Sequence, residues 1–225
     1  MAAIGILIIG ESGTGKSTSI RTLDPDKTGV ITATGKRMPF KSDFKVVHED
    51  NCGAIAGILK KCAADVIVID DMQYLLARQF MDRAKELGYQ KFTDMALGYY
   101  NVINALEDMP DNKRVYFLSH IERDNNGYEK VKTIGKLLDE KITIEGLFTI
   151  VLKTVVRDGQ YYFSTHNSGS DTVKSPIGMF AEDLIPNGLD LVDRAVCEYY
   201  GIQNKKEVKP SGIKSLFSKN KEGAA

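Results

Sequence analysis

Gly10, Glu11, Ser12, Gly13, Thr14, Gly15, Lys16 and Ser17 read G-x-x-x-x-G-K-[ST] without a departure. Glycines at those places let the backbone curl into a nest whose N–H groups converge on an anion, and the helix that such a loop opens adds its partial positive charge. In that arrangement Lys16 bridges the β and γ phosphates of a triphosphate, Ser17 ligates Mg²⁺, and Thr18 completes the set facing the phosphates. The expected ligands are ATP and Mg²⁺. The alternative is a flexible Gly/Ser turn that matches by chance. A magnesium ion so held needs a carboxylate at the end of a neighbouring buried strand, and Asp70 follows Val66-Ile-Val-Ile69 in that place. Asp70 otherwise caps the next helix; Asp71 either polarises an attacking water or serves as that cap.

These residues need a scaffold that brings strand ends together. Ile4 to Ile9 is a short, continuously apolar run, the pattern of a strand buried on both faces. A helix is expected from Gly15 to Leu23, stopped by Asp24-Pro25, then a β-branched strand over Thr28 to Thr34 and a weaker one at Val46-Val47-His48. Helical spacing over Cys52 to Ala63 precedes the Val66 strand. Gln73 to Met109 is helical with a break at Gly88 to Lys91, and Val115 to Leu118 returns to strand. The alternation predicts an α/β fold, a mostly parallel central sheet flanked by helices. Asn125-Asn126-Gly127 and Arg157-Asp158-Gly159-Gln160 are hairpin signals, so the carboxyl-terminal half adds antiparallel strands at the sheet edge.

With 225 residues the chain suits one domain, placed at 1–203, followed by a lysine-rich tail at 204–225 expected to be mobile. Its 30 basic and 30 acidic residues balance, so any nucleic acid or membrane contact must come from a local patch. Three cysteines, none in a C-x-x-C pair, argue against a disulfide framework or zinc site and for a cytoplasmic protein. Cys52, beside a helix start, is either a readily ionised thiol or a small core residue. Ala2 to Ile9 is too short to cross a membrane and lacks the flanks of a signal peptide, so no membrane partner is expected.

Beyond the glycine loop, Thr32 to Phe40, Val66 to Asp70, Val115 to His120, Thr133 to Lys136 and Lys174 to Phe180 together resemble the bacteriophage RecA-like P-loop ATP-binding proteins, some of which act as single-strand annealing recombinases. The resemblance runs from Ile4 to Tyr200. It implies a RecA-like P-loop NTPase fold and a weak, DNA-stimulated ATPase. It also implies assembly into a homo-oligomeric ring or filament on single-stranded DNA in the host cell cytoplasm, and a single-strand-binding protein as a further partner. On this resemblance His120 is the sensor in line with the γ-phosphate, and Lys174 reaches a neighbouring subunit's nucleotide, with Arg157 and Lys153 as weaker choices. A strand-end histidine and a solvated lysine are the plainer readings.

The pattern departs in one respect: the glutamate that usually ends the second strand of RecA-type enzymes is replaced by Thr34, so Asp71 or Glu49 must activate water. Glu49 and Asp50 equally suit a helix cap. Cations beside aromatic rings suit single-stranded DNA: Lys91 and Phe92 in the helix break, and Lys130, Lys132 and Lys136 after the His120 strand. The same residues read otherwise as rings packed on the sheet and solvated lysines. Lys36, Arg37 and Lys41 face either DNA or the nucleotide. Two other functions remain open: a small-molecule or nucleotide kinase, disfavoured by the lack of an arginine-rich lid, and a noncatalytic nucleotide-gated adaptor in replication or packaging, favoured by Thr34.

Overall fold

The computed structural model describes residues 2–202; the lysine-rich tail beyond lies outside the described residues. Among these, nine strands join in one sheet: β1 (Ile4–Gly10), β2 (Thr28–Thr32), β3 (Lys45–His48), β4 (Val66–Asp70), β5 (Arg114–Arg123), β6 (Glu129–Val131), β7 (Ile150–Arg157), β8 (Gln160–Ser164) and β9 (Leu184–Pro186). The spatial order is β3-β2-β4-β5-β1-β7-β8-β9, with β6 paired to the outer end of β5. From β3 to β7 all neighbours run parallel, and β8, β9 and β6 are the antiparallel additions. The α/β architecture expected from the alternation of elements is therefore present.

Side-chain alternation divides the core cleanly. Leu7, Ile9, Ile67, Ile69, Val115 and Phe117 enter the layer on one face, under α1 (Cys52–Lys61), α2 (Gln73–Asp82) and α3 (Gln90–Asn104). Their sequence neighbours Ile6, Ile8, Val66, Val68, Tyr116 and Leu118 enter the other, against Ile20 and α4 (Leu189–Tyr200). A strand buried on both faces must be apolar throughout, which is why β1 and β4 show no polar alternation. A buried bidentate pair ties β5 to α4: the Arg114 guanidinium donates to both Asp193 carboxylate oxygens at 2.9 and 2.8 Å, and the Tyr116 hydroxyl donates to Asp193 Oδ1 at 2.9 Å.

Parallel registry positions the chemistry. Gly10 at the end of β1 pairs with His120 on β5, and Thr32 at the end of β2 pairs with Asp70 on β4. β5 thus lies between the strand of the glycine loop and the strand of Asp70, and the three ends open on one edge of the sheet.

The structure differs from expectation at several boundaries. In place of a helix over Gly15 to Leu23, the loop opens a six-residue 3₁₀ segment, Ser17–Thr22. Hydroxyls account for the tightening: Ser19 Oγ donates to the Lys16 carbonyl at 2.5 Å and Thr22 Oγ1 to the Ser19 carbonyl at 3.1 Å, competing with backbone N–H groups for acceptors. β2 ends at Thr32, two residues early, and Gly35 follows in the left-handed region at φ 63°. β5 extends to Arg123, and the β5–β6 turn closes where Asp124 Oδ1 accepts from the Asn126 and Tyr128 N–H groups. Asp158 and Gly159, both at positive φ, make the two-residue β7–β8 turn.

Candidate functional site

The glycine loop leaves the end of β1 under tight steric control. A Cβ on Gly10 would lie 2.0 Å from Thr154 Oγ1 on β7 and 2.9 Å from Thr14 Oγ1, so any other residue there must displace those side chains. Gly13 and Gly15 adopt φ of 78° and 100°, the left-handed region that glycine enters without penalty. Thr14 Oγ1 donates to the Glu11 carbonyl at 2.7 Å and lies 2.6 Å from Thr154 Oγ1, pinning the loop to β7. Tyr161 and Asn187 back Gly15 from the carboxyl-terminal side.

Lys16 is 6% exposed, and its ammonium donates to the carbonyls of Gly10 at 2.9 Å and Glu11 at 2.7 Å. Among the described residues no carboxylate lies within ion-pair distance of it. Burial pushes its pKa down to about 8 against the opposing pull of Asp71, Asp70 and Glu11. A desolvated cation held only by neutral carbonyls is a site prepared for an anion.

Below it, Ser17 Oγ donates to Asp70 Oδ1 at 3.0 Å. Burial first, then the neighbouring Asp71 charge, pushes Asp70 up to about 6, against the Ser17 hydrogen bond. Hydroxyl and carboxylate oxygen beside a phosphate nest form a hard donor set of the kind magnesium takes together with phosphate oxygens. Among the described residues no group of three or more His, Cys, Asp or Glu side chains could hold a metal alone, so a divalent cation here depends on ligand oxygens.

Asp71 stands at φ 61°, an uncommon conformation for a residue with a side chain. Three groups converge on it. Thr34 Oγ1 and Lys36 Nζ each donate to Oδ2 at 3.1 Å, and His120 Nε2 lies 3.6 Å from Oδ1. Burial opposes ionisation, but the contacts from His120, Lys36 and Thr34 outweigh it and hold the carboxyl down at about 2. His120 is itself held: Gln73 Oε1 accepts from its N–H at 3.2 Å, and the Tyr74 ring meets the imidazole edge-on at 6.2 Å. Met72 occupies the N-cap of α2 and no side chain caps that helix, so neither Asp70 nor Asp71 serves as its cap.

Together these groups surround a cleft of about 260 Å³. The glycine loop with Lys16, Ser17 and Thr18 forms one side, Lys36 to Pro39 the other, Asp70, Asp71 and His120 the floor, and Tyr161 an end wall. A larger hollow of about 610 Å³ lies at the opposite end of the strands, beside Gly5, Tyr100 and Leu106. Among the described residues no Lys, Arg or His lines it, whereas Lys16, Lys36, Arg37 and His120 line the cleft.

Other predicted residues lie elsewhere or are engaged. Glu49 turns away from the cleft, its Oε1 accepting from the Asp50 and Asn51 N–H groups. The N-cap of α1 is Asn51, which accepts from Ala54 N–H at 3.0 Å, rather than Asp50. Lys153 is clamped between Glu129 and Asp171 at 2.8 and 2.5 Å. Arg157 is exposed at the hairpin tip, and Lys174, exposed, pairs its backbone with Val151 beside β7. Lys91 is 8% exposed at the start of α3, where its ammonium donates to the Arg83 and Glu86 carbonyls, and Phe92 packs on Phe80 at 6.0 Å. Lys130 pairs with Asp139 and Glu122; Lys132 and Lys136 are exposed. Cys52 is buried, accepts from Gln79 Nε2 at 3.1 Å, and burial pushes its thiol up, the reverse of ready ionisation.

Sequence reasoning missed Thr154, Tyr161 and Asn187, which shape the loop from well over a hundred residues away. In comparisons with known proteins, no family model and no curated protein sequence matched this chain. Among the described residues no helix is long and apolar enough to cross a membrane.

Proposed function

We propose that the protein is a RecA-like ATPase that binds Mg²⁺–ATP in the cleft and couples the nucleotide state to single-stranded DNA. The observation that carries this is the Ser17–Asp70 hydrogen bond beneath a loop whose one buried ammonium, Lys16, has only carbonyl partners. The loop N–H groups and Lys16 would hold the phosphates, and Ser17 and Asp70 the metal. When bound, Mg²⁺ supplies neutralisation of charge on the β and γ phosphate oxygens.

The order of strands supports the RecA-like reading, because β5 lies between the loop strand and the Asp70 strand and carries His120 level with Gly10, where a group reporting the γ-phosphate is needed. Asp71 is the carboxylate best placed to accept a proton from the attacking water at Oδ2, while Thr34 and His120 orient it. Lys36 occupies that same oxygen, which supports slow turnover by the isolated chain. For DNA, the favoured contacts are exposed Lys132 and Lys136 with Tyr128, 39% exposed, all beyond the His120 end of β5. Lys174 and the apolar Ile177, 97% exposed, are the proposed contacts between subunits of a homo-oligomer.

One observation favours a second reading. With Thr34 in place of a glutamate and Asp71 Oδ2 already bonded twice, the site also suits a nucleotide-gated adaptor that binds ATP without hydrolysing it. Phosphate release measured with and without single-stranded DNA, for the native chain and Lys16→Ala, separates them. DNA-stimulated release lost in the variant supports the ATPase; nucleotide binding with no release at any DNA or protein concentration supports the adaptor.

A further inference from the structure

We propose that Lys36 reads the γ-phosphate in cis, distinguishing ATP from ADP, and releases Asp71 as it does so. This rests on the nucleotide reading of the cleft given above.

Lys36 is carried on the segment after β2 that forms the wall facing the glycine loop. Its stem is 63% exposed, and its ammonium lies 4.8 Å from the Tyr74 ring centroid and 3.1 Å from Asp71 Oδ2. Lys36, after β2, and Lys16, after β1, both line the cleft, with the ends of β4 and β5 between them, so the two cations bear on one space from opposite sides. Two ammonium groups converging on a cleft repel each other until an anion separates them. Lys16 is fixed by its burial and its two carbonyls, whereas Lys36 is on an exposed side chain just after Gly35.

Asp71 is an imperfect final partner for that lysine. Its carboxylate is also bonded by Thr34 and approached by His120, and its backbone is held at φ 61°. With three groups sharing one carboxylate, withdrawal of Lys36 leaves Asp71 still supported by two. A γ-phosphate presents more charge than a single carboxylate and forms the stronger ion-paired hydrogen bond. Transfer of Lys36 from Asp71 to that phosphate leaves Oδ2 open to water only when a triphosphate is bound. ADP lacks the group that draws the lysine away, so the carboxylate stays occupied.

The test measures equilibrium binding of Mg²⁺–ATP and Mg²⁺–ADP by titration calorimetry for the native chain, Lys36→Met, Lys36→Arg and Lys41→Met. Lys41, exposed on the same segment but outside the lining of the cleft, controls for the loss of one positive charge. The expected result is that Lys36→Met weakens ATP by about tenfold or more, the scale of one charge-assisted hydrogen bond, and leaves ADP unchanged. Lys36→Arg keeps the preference, and Lys41→Met alters neither nucleotide. Equal weakening of ATP and ADP, or of neither, in Lys36→Met overturns the proposal while leaving the nucleotide site standing. A native chain that binds neither nucleotide overturns the site itself, and this proposal with it.

Discussion

Two lysines, one buried on the glycine loop after β1 and one half-buried on the neighbouring β7, have opposite surroundings. Lys16, on the glycine loop, is desolvated with two neutral carbonyls for company, and burial brings its pKa down to about 8. Lys153, on β7, lies between Glu129 and Asp171, and although burial opposes its charge, those carboxylates raise its pKa. The network around Lys153 continues outward: Glu129 also receives Arg123 at 3.0 Å, and Arg123 reaches Glu11 of the glycine loop at 2.9 Å. A buried charge whose partners are all present is part of the framework. One whose anionic partner is missing marks where a ligand goes.

The largest effect should come from Lys16. Lys16→Ala should weaken Mg²⁺–ATP binding by more than about 100-fold, or roughly 3 kcal/mol, as expected when one member of a buried charged pair is truncated. Its melting temperature should hold or rise, because a desolvated cation is removed; a large drop in thermal stability would place Lys16 with the framework. Lys153→Met should show the reverse pattern. It strands Asp171, 0% exposed, without its cation and should cost about 3 kcal/mol in denaturant unfolding. An unchanged unfolding midpoint would break the contrast.

Gly10→Ala probes the seam between the two regions, since its Cβ would meet Thr154 Oγ1 at 2.0 Å. A loss of about 1–3 kcal/mol from overpacking is expected, and Gly10→Ala with Thr154→Ala should recover part of it. The smallest effect concerns pH. Burial opposes ionisation of Glu129 and Asp171, but Lys153, with Arg123 for Glu129 and Ser168 for Asp171, holds both carboxyls below their ordinary range. Groups depressed in the folded state stabilise it above their unfolded pKa, and that contribution fades as pH falls through the folded value. The stability gap between the native chain and Lys153→Met should therefore narrow as pH falls through those values; a gap that does not change with pH would count against the network.

What was legible in the sequence follows from range. The glycine loop, the apolar runs of β1 and β4, Asp70 and the two hairpin turns are written in contiguous residues, and local spacing locates them. Asp71 was ambiguous because an aspartate between strand and helix also suits a cap; only its positive φ and its convergence with Thr34, Lys36 and His120 distinguish it. Lys91 and Phe92 read as an exposed break because Gly88 interrupts the helical pattern, but α3 resumes at Gln90 and turns both inward. The loop helix was overestimated because the Ser19 and Thr22 hydroxyls donate to the Lys16 and Ser19 carbonyls and compete for backbone acceptors. Thr154 and Tyr161 carry no local signal of their part in the site, since it exists only once β7 pairs with β1.

The close fit of Gly10 against Thr154 has a kinetic corollary. A loop wedged against its neighbouring strand is already shaped before anything arrives, so capture requires no ordering of chain. Association should then be a single-step encounter set by diffusion and electrostatic attraction, slowing as ionic strength rises, with the lifetime of the complex carrying differences in affinity between ligands.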